Sequence, residues 1–213
     1  MNPQVKTFFH DATSTFTHIV YSSIQQECAI IDPVLDFDYK SGSTSTESAD
    51  TVIQWIKDHN LSLSWILETH AHADHISSAK YIQTQLGGKI AIGEHITLVQ
   101  DVFKNVFNYG DEFITDGHHF DSLMVAGSPF RIGDLEAKVL HTPGHTPACV
   151  TYDIGGKLFV GDTLFMPDIG TARCDFPGGD ARTLYQSIQK LLALPDETRM
   201  FLCHDYLPES REE

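Results

Sequence analysis

His70-Ala71-His72-Ala73-Asp74-His75 is the stretch on which the reading of this chain turns. Three imidazoles and a carboxylate fall within six residues, directly after the apolar run Trp65-Ile66-Leu67 and before a segment of helical character. Imidazole nitrogen and carboxylate oxygen are the ligands that zinc, iron and manganese accept. If the strand geometry of the preceding run continues for two residues, His70 and His72 share a face and can hold one ion. Asp74 and His75 then point elsewhere, toward a second ion. Surface loops draw on Gly, Pro, Asn, Asp and Ser for their turns, so a merely polar loop accounts poorly for the pattern.

Outward from this motif, three later strand-like runs each end on a further ligand type. Val139-Leu140 leads into His141-Thr142-Pro143-Gly144-His145, and Leu158-Phe159-Val160 into Gly161-Asp162-Thr163. Met200-Phe201-Leu202-Cys203 leads into His204-Asp205-Tyr206. Each run delivers an imidazole or carboxylate to one edge of the sheets, where open sites on layered folds sit. Gly144 and Gly161 let the backbone turn tightly just before the ligand. Singly, His145 could be a turn residue, Asp162 a helix cap and His204 a core histidine. Together with the 70–75 cluster, chance is a poor account of them.

The rest of the chain supplies the layers. Residues 17–24 and 28–34 read as strands around a polar turn, the second closed by Asp32-Pro33. Apolar residues at 49, 52, 53 and 56 give 49–59 a helical period, after a polar loop at 41–48. A strand at 63–67, a helix over 74–86 stopped by Gly87-Gly88 and a strand at 89–92 follow. Residues 96–108 are helix-like, with Val99, Val102, Phe103, Val106 and Phe107 on one side, and 116–127 is irregular. Strands are expected at 130–132, 135–140, 149–153 and 158–160, then a helix over 180–194 ended by Pro195 and a strand at 199–203. Alternating strands and helices followed by a strand meander predict an α/β protein of two sheets covered by helices.

Composition narrows the function. A chain of 213 residues can bury a real core, and 41% apolar with 20% charged residues is ordinary for a soluble protein. The net charge of −15, with 14 scattered Lys and Arg, argues against a nucleic-acid substrate. No apolar run approaches the ~18 residues of a membrane span. Met1-Asn2-Pro3-Gln4-Val5-Lys6 lacks the pattern of a secretory signal, so a cytoplasmic protein is expected. Cys28, Cys149, Cys174 and Cys203 lie far apart and read as reduced thiols, Cys203 as a small buried hydrophobe beside a candidate ligand. His118-His119 reads as a surface pair outside the metal site.

The order His-x-His-x-Asp-His, then His, Asp and His resembles the metallo-β-lactamase superfamily, over nearly the whole chain. The resemblance implies one domain over residues 1–213 with that superfamily's αββα four-layer sandwich. It also implies one metal position using His70, His72 and His145, and another using Asp74, His75 and His204, with Asp162 able to bridge. Common di-zinc β-lactamases carry Cys where Asp162 stands, and flavodiiron oxidases carry Glu where His72 stands and need a flavin domain. The nuclease branch handles a polyanion, which the charge disfavours.

The glyoxalase II hydrolases and the persulfide dioxygenases remain, and the local strings look like the dioxygenase pattern. Those strings are Thr69-His70-Ala71-His72-Ala73-Asp74-His75, Pro143-Gly144-His145-Thr146-Pro147, Gly161-Asp162-Thr163-Leu164, Ala172-Arg173-Cys174-Asp175-Phe176 and His204-Asp205-Tyr206. The resemblance implies one Fe(2+) per chain on His70, His145 and Asp162. His72, Asp74, His75 and His204 then orient these ligands and exclude a second ion. The implied reaction takes glutathione persulfide, O2 and water to sulfite and glutathione. Arg173 is a candidate anchor for a substrate carboxylate, or an orienter of the site through Asp175, and Tyr206 a candidate hydrogen-bond donor. The alternative is a glyoxalase-II-like hydrolase, in which two Zn(2+) or mixed ions generate a hydroxide that attacks a thioester. A third reading is a metal-binding protein without activity.

Three departures from the dioxygenase pattern stand out. Ala172 replaces its usual Gly, leaving the Arg-x-Asp-Phe unit intact. Residues 96–127 are longer than expected and read as an elaborated loop with a packed helix, with a lid or homodimer surface as the alternative. The sequence stops nine residues past His204, at Pro208-Glu209-Ser210-Arg211-Glu212-Glu213, an apparently short C-terminus that bears on which thiol carries the persulfide.

Overall fold

Strand β3 (Glu27–Ile31) shows how the layers arise. Cys28 and Ile30 face helices, Ala29 and Ile31 face a second sheet, and all four are fully buried. A strand covered on both faces needs an unbroken apolar run instead of alternation. The computed structural model describes residues 2–206 of the chain. The ending on which the expected short C-terminus rests lies outside the described residues.

β3 belongs to a six-stranded sheet with β1 (Gln4–His10), β2 (Thr15–Tyr21), β6 (Ser62–Leu67), β8 (Lys89–Gly93) and β9 (Ser122–Met124), in the order β1-β2-β3-β6-β8-β9. The facing sheet is β10 (Pro129–Ile132), β11 (Leu135–His141), β12 (Val150–Ile154), β13 (Lys157–Phe159) and β14 (Arg199–Phe201), in chain order. Val20, Ala29, Ile31, Leu67 and Ala91 of the first sheet pack against Val139, Tyr152, Ile154 and Phe159 of the second. Each large side chain buried there contributes about 1.5–3 kcal/mol. Tyr152 donates its hydroxyl proton to the Glu68 carbonyl at 2.9 Å, tying the second sheet to the loop that bears His70.

Helices α1 (Glu47–Asp58) and α2 (Ala79–Leu86) cover the outer face of the first sheet through Val52, Ile53, Ile56 and Ile82. Helix α3 (Ile96–Val106) seats Ile96 and Val99 against Ile92 and Ala148, while Val106 and Phe107 stay exposed. Helix α4 (Ala181–Leu192) lays Leu191 on Leu158 and Val160 of the second sheet. The expected αββα sandwich is the architecture observed. Among the described residues, no helix is long and apolar enough to cross a membrane.

Several elements differ from expectation. The helix expected over 74–86 begins only at Ala79, because Asp74 and His75 are engaged at the site and Ile76–Ser77 forms a short strand, β7. β7 pairs with β4 (Val34–Asp38), which also pairs with β5 (Ser43–Ser45) inside the expected polar loop. The irregular 116–127 segment contains β9, a parallel partner of β8. β1 is a half-exposed edge strand whose mixed burial leaves a weak pattern in the sequence.

Candidate metal centre

Five strand ends meet at one edge of the sandwich. β3 leads to Asp32, β6 to His70, β11 to His145, β13 to Asp162 and β14 to His204. β3 pairs parallel with β6, and β13 parallel with β14, so the carboxyl ends within each pair point the same way. Gly144 has φ +140°, and a Cβ there would lie 2.3 Å from Leu184 Cα, so only glycine lets the turn press against α4. At Gly161, with φ +54°, a Cβ would meet Thr69 Oγ1 at 2.6 Å, which brings the Asp162 turn onto the residue preceding His70.

His70, His145 and Asp162 present ligand atoms that all lie within 4.8 Å of one another. Asp162 Oδ2 is 3.7 Å from His70 Nε2 and 3.6 Å from His145 Nε2. Hydrogen bonds on the far side of each ring decide which nitrogen is free. Thr69 donates its hydroxyl proton to Asp32 Oδ2 at 2.8 Å, so its oxygen accepts from His70 Nδ1 at 2.9 Å. His145 Nδ1 donates to the Arg173 carbonyl at 2.6 Å. Both imidazoles therefore turn a lone pair on Nε2 toward Asp162.

The remaining candidates gather beside this trio. His72, Asp74 and His75 form a second group within 4.8 Å, and Asp162, Cys203 and His204 a third. His204 Nδ1 donates to the Ser14 carbonyl at 3.2 Å, leaving Nε2 3.3 Å from Asp74 Oδ2 and 3.5 Å from Asp162 Oδ1. His72 turns Nε2 to Asp32 Oδ1 at 3.1 Å and Glu68 Oε2 at 3.3 Å. The rings of His70 and His72 are close, with centroids 4.1 Å apart. Even so, the structure groups His70 with His145 and Asp162, and His72 with Asp74 and His75, instead of His70 with His72 as strand alternation predicts. The chain leaves β6 at Leu67, before that alternation can extend to His72.

The donor set fits a cation. His70 Nε2, His72 Nδ1, His75 Nε2, His204 Nε2 and Asp162 Oδ1 are buried without a hydrogen-bond partner. Leaving one such atom unpaired costs about 1–3 kcal/mol, so unpaired atoms gathered into these neighbouring groups call for a ligand that satisfies them. Burial, then neighbouring imidazoles, hold the His70 pKa well below the ordinary histidine value. Burial likewise lowers His145 and His204, and neutral imidazole is the form that binds metal. Burial pushes the Asp162 carboxyl up to about 7, with the His72 charge opposing it. At Asp32, burial acts upward, but the His72 charge and the hydrogen bonds from His72 and Thr69 hold the carboxyl below its usual range. Burial acts downward on His72, yet the Asp32 charge and the hydrogen bonds around it raise its pKa well above the ordinary value.

The metallo-beta-lactamase superfamily profile matches residues 13–204. The chain belongs to the metallo-beta-lactamase superfamily. It is 53% identical, over 98% of its length, to a beta-lactamase hydrolase-like protein of Agrobacterium fabrum, and spans only 48% of that relative. It is 46% identical to Glyoxylase B2 of Dictyostelium discoideum, covering 98% of this chain and 72% of that one. The human mitochondrial persulfide dioxygenase ETHE1 is 31% identical, covering 95% of this chain and 68% of the relative. The crystal structure of ETHE1 from Myxococcus xanthus superposes with a TM-score of 0.75 at 28% identity, over 96% of this chain and 76% of that one.

In this metallo-beta-lactamase fold, a superfamily of metal-binding enzymes, the ligand cluster opens in two directions. A cavity of about 390 Å³ is lined by Asp74, His145, Asp162, Phe165, Arg173 and Tyr206. A second, of about 670 Å³, touches His70, His72, His75 and His119 from the α2 side. Arg173 pairs with Asp175 through two hydrogen bonds of 2.6 and 2.8 Å, which draw the Asp175 carboxyl down to about 2. The guanidinium lies 5.0 Å from the Phe176 ring, and Phe176 meets His145 edge-on at 5.3 Å. Tyr206 stacks on His204 with centroids 5.5 Å apart. Burial and the Asp162 charge push the Tyr206 hydroxyl up to about 12, so it stays a proton donor at neutral pH. His118 and His119 are exposed, as a surface pair should be.

Asp32 and Glu68 were not among the sequence candidates. Asp32 closes a strand at the same edge as the ligands, a signal available in the sequence but read there as turn chemistry. Glu68 is buried, accepts a hydrogen bond from Ser77 and faces His72.

Proposed function

We propose that this protein is a non-haem iron persulfide dioxygenase, oxidising glutathione persulfide or a related thiol persulfide to sulfite and the free thiol in sulfide detoxification. The observation that carries this reading is the separate trio of His70, His145 and Asp162, with His72 drawn aside by Asp32 and Glu68. Two imidazoles and one carboxylate on one face are the set that non-haem Fe(II) oxygenases use to leave positions open. Similarity to the two ETHE1 proteins supports the same reading.

The reaction balances as persulfide, O2 and water giving thiol, sulfite and protons. The terminal sulfur is oxidised, O2 is reduced, and the sulfur–sulfur bond breaks to release the thiol. Held by His70, His145 and Asp162, iron would supply open coordination positions and electron-transfer chemistry. The chain supplies the rest: Arg173 at the mouth binds a substrate carboxylate, oriented by Asp175, and Tyr206 donates a hydrogen bond to the substrate sulfur. The apolar rings of Phe165 and Phe176 limit water in the approach.

A second reading, a thioester hydrolase with two metal ions, draws on the higher identity to Glyoxylase B2 and on the His72, Asp74 and His75 group. Metal analysis of protein produced without added zinc, followed by oxygen-electrode measurement with glutathione persulfide, tests both. One iron per chain with O2 uptake is expected. Two zincs, and thioester cleavage without uptake by an iron-loaded sample, would overturn the dioxygenase reading. His145→Ala should abolish iron binding and His75→Ala should retain most of it, since only His145 belongs to the trio. Equal losses would count against a single-iron site.

A further inference from the structure

A separate cavity of about 130 Å³ lies between the outer face of the first sheet and α1, and none of the candidate metal ligands lines it. Phe8 and Phe9 of β1, Pro33, Val34 of β4 and Val52 of α1 make its walls largely apolar. Among the described residues four hydroxyls also line it, and three of them are engaged. Thr17 Oγ1 donates to the Asp32 carbonyl at 3.0 Å and accepts from the Val34 amide at 3.3 Å. Ser48 donates to Asp36 at 2.6 Å, and Thr51 to the Glu47 carbonyl at 2.9 Å. Ser78 differs. It is 1% exposed, and among the described residues its hydroxyl has no hydrogen-bond partner. Although Ser78 stands at the N-cap of α2, its side chain makes no capping bond, the usual task of serine there. The ionisable group on the wall, His10, is held by Thr13 at 2.7 Å through Nδ1 and by Asp36 at 3.3 Å through Nε2.

We infer that this cavity is a binding site for a small, neutral, hydroxylated ring of about the size of phenol, whose hydroxyl pairs with that of Ser78. Size sets the first limit. An apolar cavity of about 150 Å³ admits benzene, so about 130 Å³ holds one ring and excludes a tripeptide thiol. Polarity sets the second. A buried hydroxyl without a partner is costly, and a ligand hydroxyl can both accept from Ser78 and donate to it. A lone water answers Ser78 less well, because it needs about 2–4 polar partners and the other lining hydroxyls already donate elsewhere. Charge sets the third, since His10 is already paired with Asp36 and attracts no anion. The Phe8 and Phe9 rings give the ligand aromatic neighbours. The inference stands whichever reaction the metal centre carries.

Titration of the full chain with phenol and with benzene, followed by amide NMR, tests the site. Phenol should bind saturably at one per chain, with the largest shifts at Val34, Ser48 and Ser78, and about fivefold more tightly than benzene. Ser78→Ala should remove that fivefold advantage and leave benzene affinity unchanged, whereas Val52→Phe, which fills the cavity, should abolish binding of both. Should Val52→Phe fail to fold by circular dichroism, crystals of the unaltered protein soaked in phenol answer the same question, with the ring expected beside Ser78. Non-saturable binding, shifts centred on His70 or His145, or an equal loss of phenol and benzene in Ser78→Ala would each overturn the inference. So would a crystal in which water alone occupies the cavity after soaking. None of these readouts involves metal content, O2 uptake or thioester turnover, so failure here and failure of the proposed activity are separable.

Discussion

Asp32 accepts from the Thr69 backbone amide at 2.7 Å, from the Thr69 hydroxyl at 2.8 Å and from His72 Nε2 at 3.1 Å. Removing that carboxylate leaves a buried amide unpaired and strips the His72 imidazole of one of its two carboxylates. Asp32→Ala should therefore cost roughly 3–5 kcal/mol of stability, measured by urea denaturation of the metal-free protein, and a loss below about 1 kcal/mol would refute the account. Arg173 acts differently at the same scale. Its carbonyl holds His145, whereas its exposed guanidinium reaches the cavity mouth, so a side-chain change spares the metal. Under the proposed activity, Arg173→Ala should keep its iron and raise KM about tenfold with kcat within about twofold. A fall in iron content would show that the guanidinium supports the metal instead. The ligand residue types were legible in the sequence. Asp32's task was not, because it joins residues 37 positions apart that meet only when β3 and β6 pair.

At the scale of elements, strand interiors were easier to read than the turns that carry chemistry. The runs of β6, β8 and β11 to β13 fall within a residue of expectation, helped in β8 and β12 by near-complete burial on both faces, whereas β3 ends at Ile31, three residues before the expected Val34. The helix expected over 74–86 began too early because helical spacing cannot reveal that Asp74 and His75 are committed to contacts elsewhere. The turn after β11 gives the sharpest test. A methyl at Gly144 would overlap the backbone of α4 at 2.3–2.4 Å, at a φ that side chains rarely adopt. Gly144→Ala should destabilise the protein by roughly 3 kcal/mol or more and weaken metal binding, since His145 moves with the turn. Thermal unfolding within about 2 °C of the unaltered protein would be incompatible with that packing.

Across the whole molecule, the two sheets are joined by polar as well as apolar contacts. His18 on β2 is buried, donates from Nε2 to the Leu202 carbonyl at 2.8 Å and packs beside Phe159 and Phe201 of the second sheet. Burial lowers its pKa from 6.5 to about 4, with the Leu202 bond opposing. Between those values the unfolded chain binds a proton that the folded one refuses, so stability rises with pH through this window and is lost as pH falls from 6.5 toward 4. The contribution is on the order of 3 kcal/mol at neutral pH. Urea midpoints from pH 4 to 7 should climb less steeply in His18→Gln than in the unaltered chain, and identical slopes would exclude His18 as a source.

By itself, the sequence determined the superfamily, the layered fold and the identity of the candidate ligands, because apolar runs and ligand spacing are local properties of the chain. Only the tertiary structure decided how those ligands divide. His70 reaches His145 and Asp162, His72 is drawn to Asp32 and Glu68, and His204 lies beside Asp74 and Asp162. Those groupings depend on hydrogen bonds and backbone turns between distant strands, and no period or motif within one strand encodes them.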